Sequence, residues 1–242
     1  MLIINPYRFQ SGESVTLKTD LIAHYALEET SGTTVYDSHG SHHGVLVDGT
    51  LNVPGVVGNS YGLDGSNDRA YFDNSSGDFN VTTELTLAAW VRINDSTINS
   101  RGICGLDINS STTYKYMLYA TGGAADDTLV FYVRTDAGLA NVSYTYEGGT
   151  KFDDSWFFMV GTFDANLPSG RLKLYVDGTL VNSADGYDSP VQAGVGDFEF
   201  GRWYTYFLPG GVDEISVWKR ALSDAEIATL YNNGNGLEYS QW

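Results

Sequence analysis

Apolar and polar residues alternate over much of this chain, and the alternation has a period of two. In Leu85–Ile93 it puts Leu85, Leu87, Ala89, Val91 and Ile93 on one face, the pattern of a strand. Leu129–Arg134 and Trp156–Phe163 are rich in β-branched and aromatic residues, which suit a pleated surface. Arg171–Val176 alternates again, meets Asp177-Gly178, and continues as Thr179–Val181. Asp-Gly between two such runs predicts a hairpin, because a type I′ turn needs positive φ at both central residues. Further strands are predicted at Tyr114–Ala120, Leu139–Tyr146, Phe198–Gly201 and Val212–Trp218. Turn signals between short strands point to a sandwich or jelly roll.

One helix interrupts this pattern near the C-terminus. Ser223-Asp224-Ala225-Glu226 reads as a capping box, with Leu222 and Ile227 placed as a hydrophobic staple. Ile227, Leu230 and Tyr231 form its apolar face, and Gly234 is the expected left-handed stop. The predicted fold class is therefore all-β: a two-sheet antiparallel jelly-roll sandwich with one short C-terminal helix. Residues 1–19 are set apart as an N-terminal arm, and residues 20–242 form the domain.

Composition narrows the function. The 242 residues carry 13 Lys+Arg against 30 Asp+Glu, a formal charge of −17. Such a chain repels nucleic-acid backbones and anionic membranes. No apolar run approaches the roughly 18 residues of a membrane span. Cys104 stands alone, so neither an internal disulfide nor a cysteine zinc site is expected. The opening residues lack the basic and apolar regions of a signal peptide. His39, His42 and His43 crowd one loop, but their spacing matches no standard zinc motif.

Several stretches resemble one family. They include Leu21–Glu29, Val35–Gly44, Gly55–Gly65, the Ala89-Trp90 pair, Leu174–Gly178 and, most closely, Gly211–Ile227. In order and spacing they are similar to the laminin-G-like modules of the concanavalin A-like lectin/glucanase superfamily. That resemblance implies two packed antiparallel sheets and a structural Ca²⁺ at one rim. It would bring Asp37 near Asp213, with Glu28 and His43 as further candidate ligands. The same two acids could instead be a solvated carboxylate and an Asx-turn residue.

Three functions compete. Glucanases of the superfamily carry paired carboxylates on one strand, as in Glu-x-Asp-x-x-Glu. No such run occurs here, and adjacent Asp213 and Glu214 are expected on opposite strand faces, so no enzyme is expected. Carbohydrate binding would use aromatic faces with polar neighbours. Tyr114 and Tyr116 on one strand face, and Arg202, Trp203, Tyr204 and Tyr206 in a late loop, are the candidates. The third reading is a virion accessory protein, a capsid decoration or head-fibre component. Ile3–Phe9 is similar to the start of tailed-phage structural proteins that carry such domains. On this reading Ile3, Ile4, Tyr7 and Phe9 anchor the arm to a capsid or other virion protein, and Arg8 pairs with an acidic or phosphate-like group. Assembly would occur in the host cytoplasm; the alternative is a bacterial surface or secreted carbohydrate-binding module.

Overall fold

The computed structural model describes residues 16–95, 100–107, 114–122, 126–147, 151–194 and 196–242. In chain order the strands are β1 (Leu21–Tyr25), β2 (Thr34–Val35), β3 (Gly44–Val47), β4 (Thr50–Pro54), β5 (Asn59–Asp64) and β6 (Arg69–Phe72). They continue as β7 (Glu84–Ile93), β8 (Arg101–Asp107), β9 (Tyr114–Gly122), β10 (Asp126–Thr135), β11 (Gly138–Glu147) and β12 (Trp156–Asp164). The last are β13 (Leu172–Val176), β14 (Thr179–Ala184), β15 (Phe198–Phe200), β16 (Arg202–Trp203), β17 (Tyr206–Phe207) and β18 (Pro209–Trp218), before helix α1 (Asp224–Tyr231).

Two eight-stranded sheets form the sandwich. The first runs β14-β13-β12-β7-β18-β5-β4, with β1 also paired to β18; the second runs β11-β10-β9-β8-β15-β6-β3-β2. Every strand pair within them is antiparallel. The predicted face of β7, Leu85 through Ile93 at every second residue, lies between the sheets. It meets Tyr116, Leu118, Leu129, Phe131, Phe198 and Phe200 of the second sheet in one core. Cys104 is in that core, and burial pushes its thiol pKa up. The Asp177-Gly178 hairpin forms as predicted, with φ of 51° and 73° at its two turn residues.

Helix α1 has the predicted capping box: Ser223 accepts from the Glu226 N–H, and Glu226 reaches back to the Ser223 N–H. It stops earlier than Gly234, because Asn232 already takes the left-handed conformation at φ 48°. Leu222, Ile227 and Leu230 press onto the outer face of the first sheet, over Ala88, Trp90, Phe158 and Trp218. The chain end adds Leu237, Tyr239 and Trp242 to the same cover. At the other end Leu17 joins this cluster, and its carbonyl accepts from Trp218 Nε1 at 2.6 Å. Thus the last residues of the arm belong to the domain. Ile3, Ile4, Tyr7, Arg8 and Phe9 lie outside the described residues. No described helix is long and apolar enough to cross a membrane.

Candidate functional site

The outer face of the second sheet carries different chemistry. Phe198 and Phe200 point into the core, so Glu199 between them points out. Register places Glu199 beside Gly105, Gly105 beside Met117, and Met117 beside Tyr132, across four strands. Tyr114, Met117 and Tyr132 form a cluster here, with half-buried Tyr119 and Trp203 packed against it. The rings of Tyr119 and Trp203 are 4.5 Å apart, and those of Tyr119 and Tyr132 are 6.0 Å apart.

The β16–β17 hairpin lies over this sheet. Its backbone passes so close to Gly102 that a side chain there would collide with the Arg202 carbonyl. Trp203 pairs with Tyr206, leaving Tyr204-Thr205 as a two-residue turn. Tyr204 has φ 59°, a conformation that costs a non-glycine residue of order 1–3 kcal/mol. The strain holds a tyrosine at the tip, where Tyr204 and Tyr206 are both exposed. Ser100, Trp203, Tyr204 and Tyr206 line a concavity of about 280 Å³. The Arg101 guanidinium sits 5.4 Å from the Tyr206 ring centroid, a cation–π distance. Arg202 is turned away from the concavity. Its Nε and Nη2 donate to both oxygens of Glu199, at 2.8 and 2.6 Å.

Two expected sugar contacts do not fit. Tyr116 is fully buried between the sheets, and its hydroxyl donates to the Phe79 carbonyl at 2.7 Å. Tyr114 is buried under the hairpin and donates to the Arg202 carbonyl at 3.3 Å. The two tyrosines also do not share a face. The register slips between Leu106 and Asp107 of β8, where Tyr114 and Tyr116 are their partners, so the extra β9 residue makes a bulge. That bulge puts Tyr114 on the outer face with Met117, while Tyr116 stays in the core.

The expected metal ligands are spread over separate interactions. The Asp37 carboxylate accepts backbone N–H groups from His24, His39 and His42 at 2.9–3.1 Å. His43 Nδ1 accepts from the Asp37 N–H at 3.0 Å, and Glu28 accepts from the Asn59 N–H at 3.1 Å. Oδ2 of Asp213 accepts from Val56 and Val57 at 2.8 and 3.0 Å, but its buried Oδ1 has no partner. Among the described residues no three His, Cys, Asp or Glu side chains are grouped to hold a metal ion. Asp37 and His43 therefore do not fit the expected set, since N–H donors already claim the Asp37 oxygens. His39 and His42 go to Tyr239 and Asp78 instead.

Sequence reasoning also misplaced Glu214. Val212 and Ile215 both face the core, so Asp213 and Glu214 between them both leave it, through a bulge in which Glu214 has φ 51°. Burial, then the nearby Asp213 and Glu28 charges, push the Glu214 pKa up to about 9. Burial likewise pushes Asp213 up to about 7 and His24 down to about 3. His24 Nε2 and Glu214 Oε2 lie 3.4 Å apart, and burial works against the charged form of each.

A family model described as the concanavalin A-like lectin/glucanases superfamily, of laminin-G type, matches residues 64–228. The chain belongs to this superfamily. Among solved structures, the binding domain of botulinum neurotoxin DC, solved with rat synaptotagmin II, superposes with a TM-score of 0.67 at 14% identity. That match covers 93% of this chain and 53% of the toxin chain. The same toxin domain in complex with SialylT matches at 0.67 and 15%, over 92% and 52%. A botulinum neurotoxin type C structure, described with cell entry that depends on two ganglioside molecules, matches at 0.66 and 15%, over 89% and 51%. This superfamily member thus spans about half the length of these toxin chains, and the likeness is one of fold. No curated protein matches the chain.

Proposed function

We propose that this superfamily member is a non-enzymatic glycan-binding module, with the site on the outer face of its second sheet. The observation that carries the reading is the β16–β17 hairpin. It presents Trp203, Tyr204 and Tyr206 around a concavity and keeps Tyr204 in a strained backbone conformation. Exposed aromatic faces beside polar groups are what sugar rings stack on. The superfamily's lectin members, and toxin structures described with sialylated ligands or gangliosides, support the reading as analogues. Glu199 is in keeping with binding without turnover. It is the outward-facing acid of β15, and both its oxygens are engaged by Arg202. A free proton-transfer carboxylate is not what that geometry offers. A glycan array followed by calorimetry tests the proposal. The wild-type chain should bind at least one glycan class, and Trp203→Ala with Tyr206→Ala should abolish binding without lowering the melting temperature by more than a few degrees. Binding that survives both substitutions contradicts it.

The setting is a separate part of the proposal. A virion accessory role rests on the similarity of Ile3–Phe9 to phage structural proteins; a bacterial surface or secreted module is the alternative. Deleting residues 1–10 addresses it. Loss of particle association with an unchanged melting temperature supports anchoring to a virion protein, and an early melt would place the arm in the core instead.

Calcium is proposed on a narrower set than expected. Asp213 Oδ1 is buried without a donor, and the Glu28 charge bears on it. A hard cation there would neutralise both carboxylates. Chelation by EDTA should then lower the melting temperature, and added Ca²⁺ should restore it; an unchanged melt removes the ion from the account.

A further inference from the structure

The aromatic strip on the second sheet ends in two cations. Arg134 follows Tyr132 by two residues on β10, so it points from the same face about 7 Å along the strand. Lys115 lies on β9 at the Tyr114 bulge and is 3% exposed. Gln192 ties the two together. Its N–H donates to the Arg134 carbonyl at 2.9 Å, and its Oε1 accepts from Lys115 Nζ at 3.0 Å. Arg134 lies close enough to Lys115 that its charge, after burial, lowers the Lys115 pKa, with Asp136 acting weakly the other way.

Neither cation has a carboxylate partner in hydrogen-bond contact among the described residues. Arg134 is half-buried, and its Nε is buried with no hydrogen-bond partner. The acid that bears on Lys115 is Asp136, and its charge ranks below burial and the Arg134 charge. Two adjacent, partly desolvated cations repel each other and leave donors unmet, which an incoming anion would relieve. A guanidinium is shaped to take a carboxylate or sulfate through two parallel hydrogen bonds.

From these positions we infer that Arg134 and Lys115 form an anion subsite at the end of the strip, so that the ligand is an acidic glycan. Rings stack on the Trp203 hairpin, and a carboxylate or sulfate farther along the same oligosaccharide is held by the Arg134 fork, about 20 Å down the strands by register, with Lys115 Nζ as a point charge behind it. This rests on the glycan-binding reading above and adds the class of sugar. Arg134 is the specificity-determining residue; the hairpin supplies the sequence-tolerant contact.

The test is calorimetry on the full chain with three matched oligosaccharides: neutral, uronate-bearing and sulfated. The wild type should prefer an acidic member over the neutral one by at least tenfold, and the preferred one identifies carboxylate or sulfate. Arg134→Gln should remove that preference and leave neutral binding and the melting temperature unchanged. Arg134→Lys should restore part of it, as a charge without the fork. Rising salt should weaken acidic binding alone. Equal binding of neutral and acidic members, or a preference untouched by Arg134→Gln, overturns the subsite while the glycan reading stands. Absence of binding to all three, with an empty glycan array, overturns both.

Discussion

The two sheets of this sandwich turn very different outer faces to their surroundings. On the first sheet, Trp90, Phe158 and Trp218 are sealed by the chain itself. Tyr231 of α1 stacks over Trp90 at 5.6 Å, and Trp242 stacks over Trp218 at 5.7 Å. On the second sheet, a comparable aromatic group meets a small strained hairpin, an Arg–Glu pair and two cations. The comparison separates two uses of the same residue types. Where aromatics lie under a helix and a tail, their burial contributes to stability. Where they lie among unmatched donors and a tyrosine at φ 59°, local stability is given up, and such sites are where function is looked for first.

The largest expected effect is on the sealed face. Trp218→Ala removes a fully buried ring and the donor to the Leu17 carbonyl. It should cost about 3–5 kcal/mol, since a large cavity opens under the helix. By thermal melting this is a drop of roughly 10 °C. Trp203→Ala on the other sheet should cost far less and remove glycan binding. If the two variants destabilise equally, the division between the faces is broken.

Next comes the Arg202–Glu199 pair. Arg202→Met removes the guanidinium that engages both oxygens of a carboxylate only 7% exposed. The expected loss is about 3 kcal/mol, because a buried charge loses this partner. The double variant Glu199→Gln with Arg202→Met should lose less than the single one, read by chemical denaturation. A double variant that is worse would mean the pair stabilises the face outright. Smaller still, Tyr204→Gly should relieve the positive φ and raise stability by about 1 kcal/mol while weakening glycan binding. A stability loss would remove the strain argument.

The smallest effect sharpens the sealed side. Burial alone would raise the Glu226 pKa, but hydrogen bonds from Arg220 and Ser223 and the Arg220 charge outweigh it, so the pKa is lowered. A depressed folded value means that this stabilisation is present above the unfolded carboxylate range and is lost as pH falls through the lower, folded one. Glu226→Gln should cost about 1 kcal/mol at pH 7, in line with a helix cap, and progressively less as pH falls below the ordinary carboxylate range. Melts across that pH range check this.

What could be read from the residues was local. The capping box at Ser223, the Asp177-Gly178 turn and the β7 alternation each depend on neighbours within a few positions. So does the aromatic run at Arg202–Phe207, which is legible as a candidate from its residue types alone. The failures came where one extra residue shifts a strand. The bulges at Tyr114 and at Glu214 reverse side-chain direction, and nothing in the local pattern announces them. Of the readings open for Asp37, the Asx turn forms, with the His39 N–H donating to it; its other partners are also backbone amides, which every sequence has. The Lys115–Arg134 pair depended on strand register. The scarcity of basic residues on so acidic a chain was the one signal that could have drawn attention to it.

The claim that the second sheet's outer face is the binding face is tested most directly by NMR. Side-chain resonances of the full chain would be followed while an oligosaccharide that it binds is added. The account predicts shifts at Trp203, Tyr204, Tyr206 and Tyr119, and at Arg134 when the sugar is acidic, with Trp218 and Trp242 still. Shifts centred on Trp242 and Tyr239, with the Trp203 hairpin silent, would contradict it.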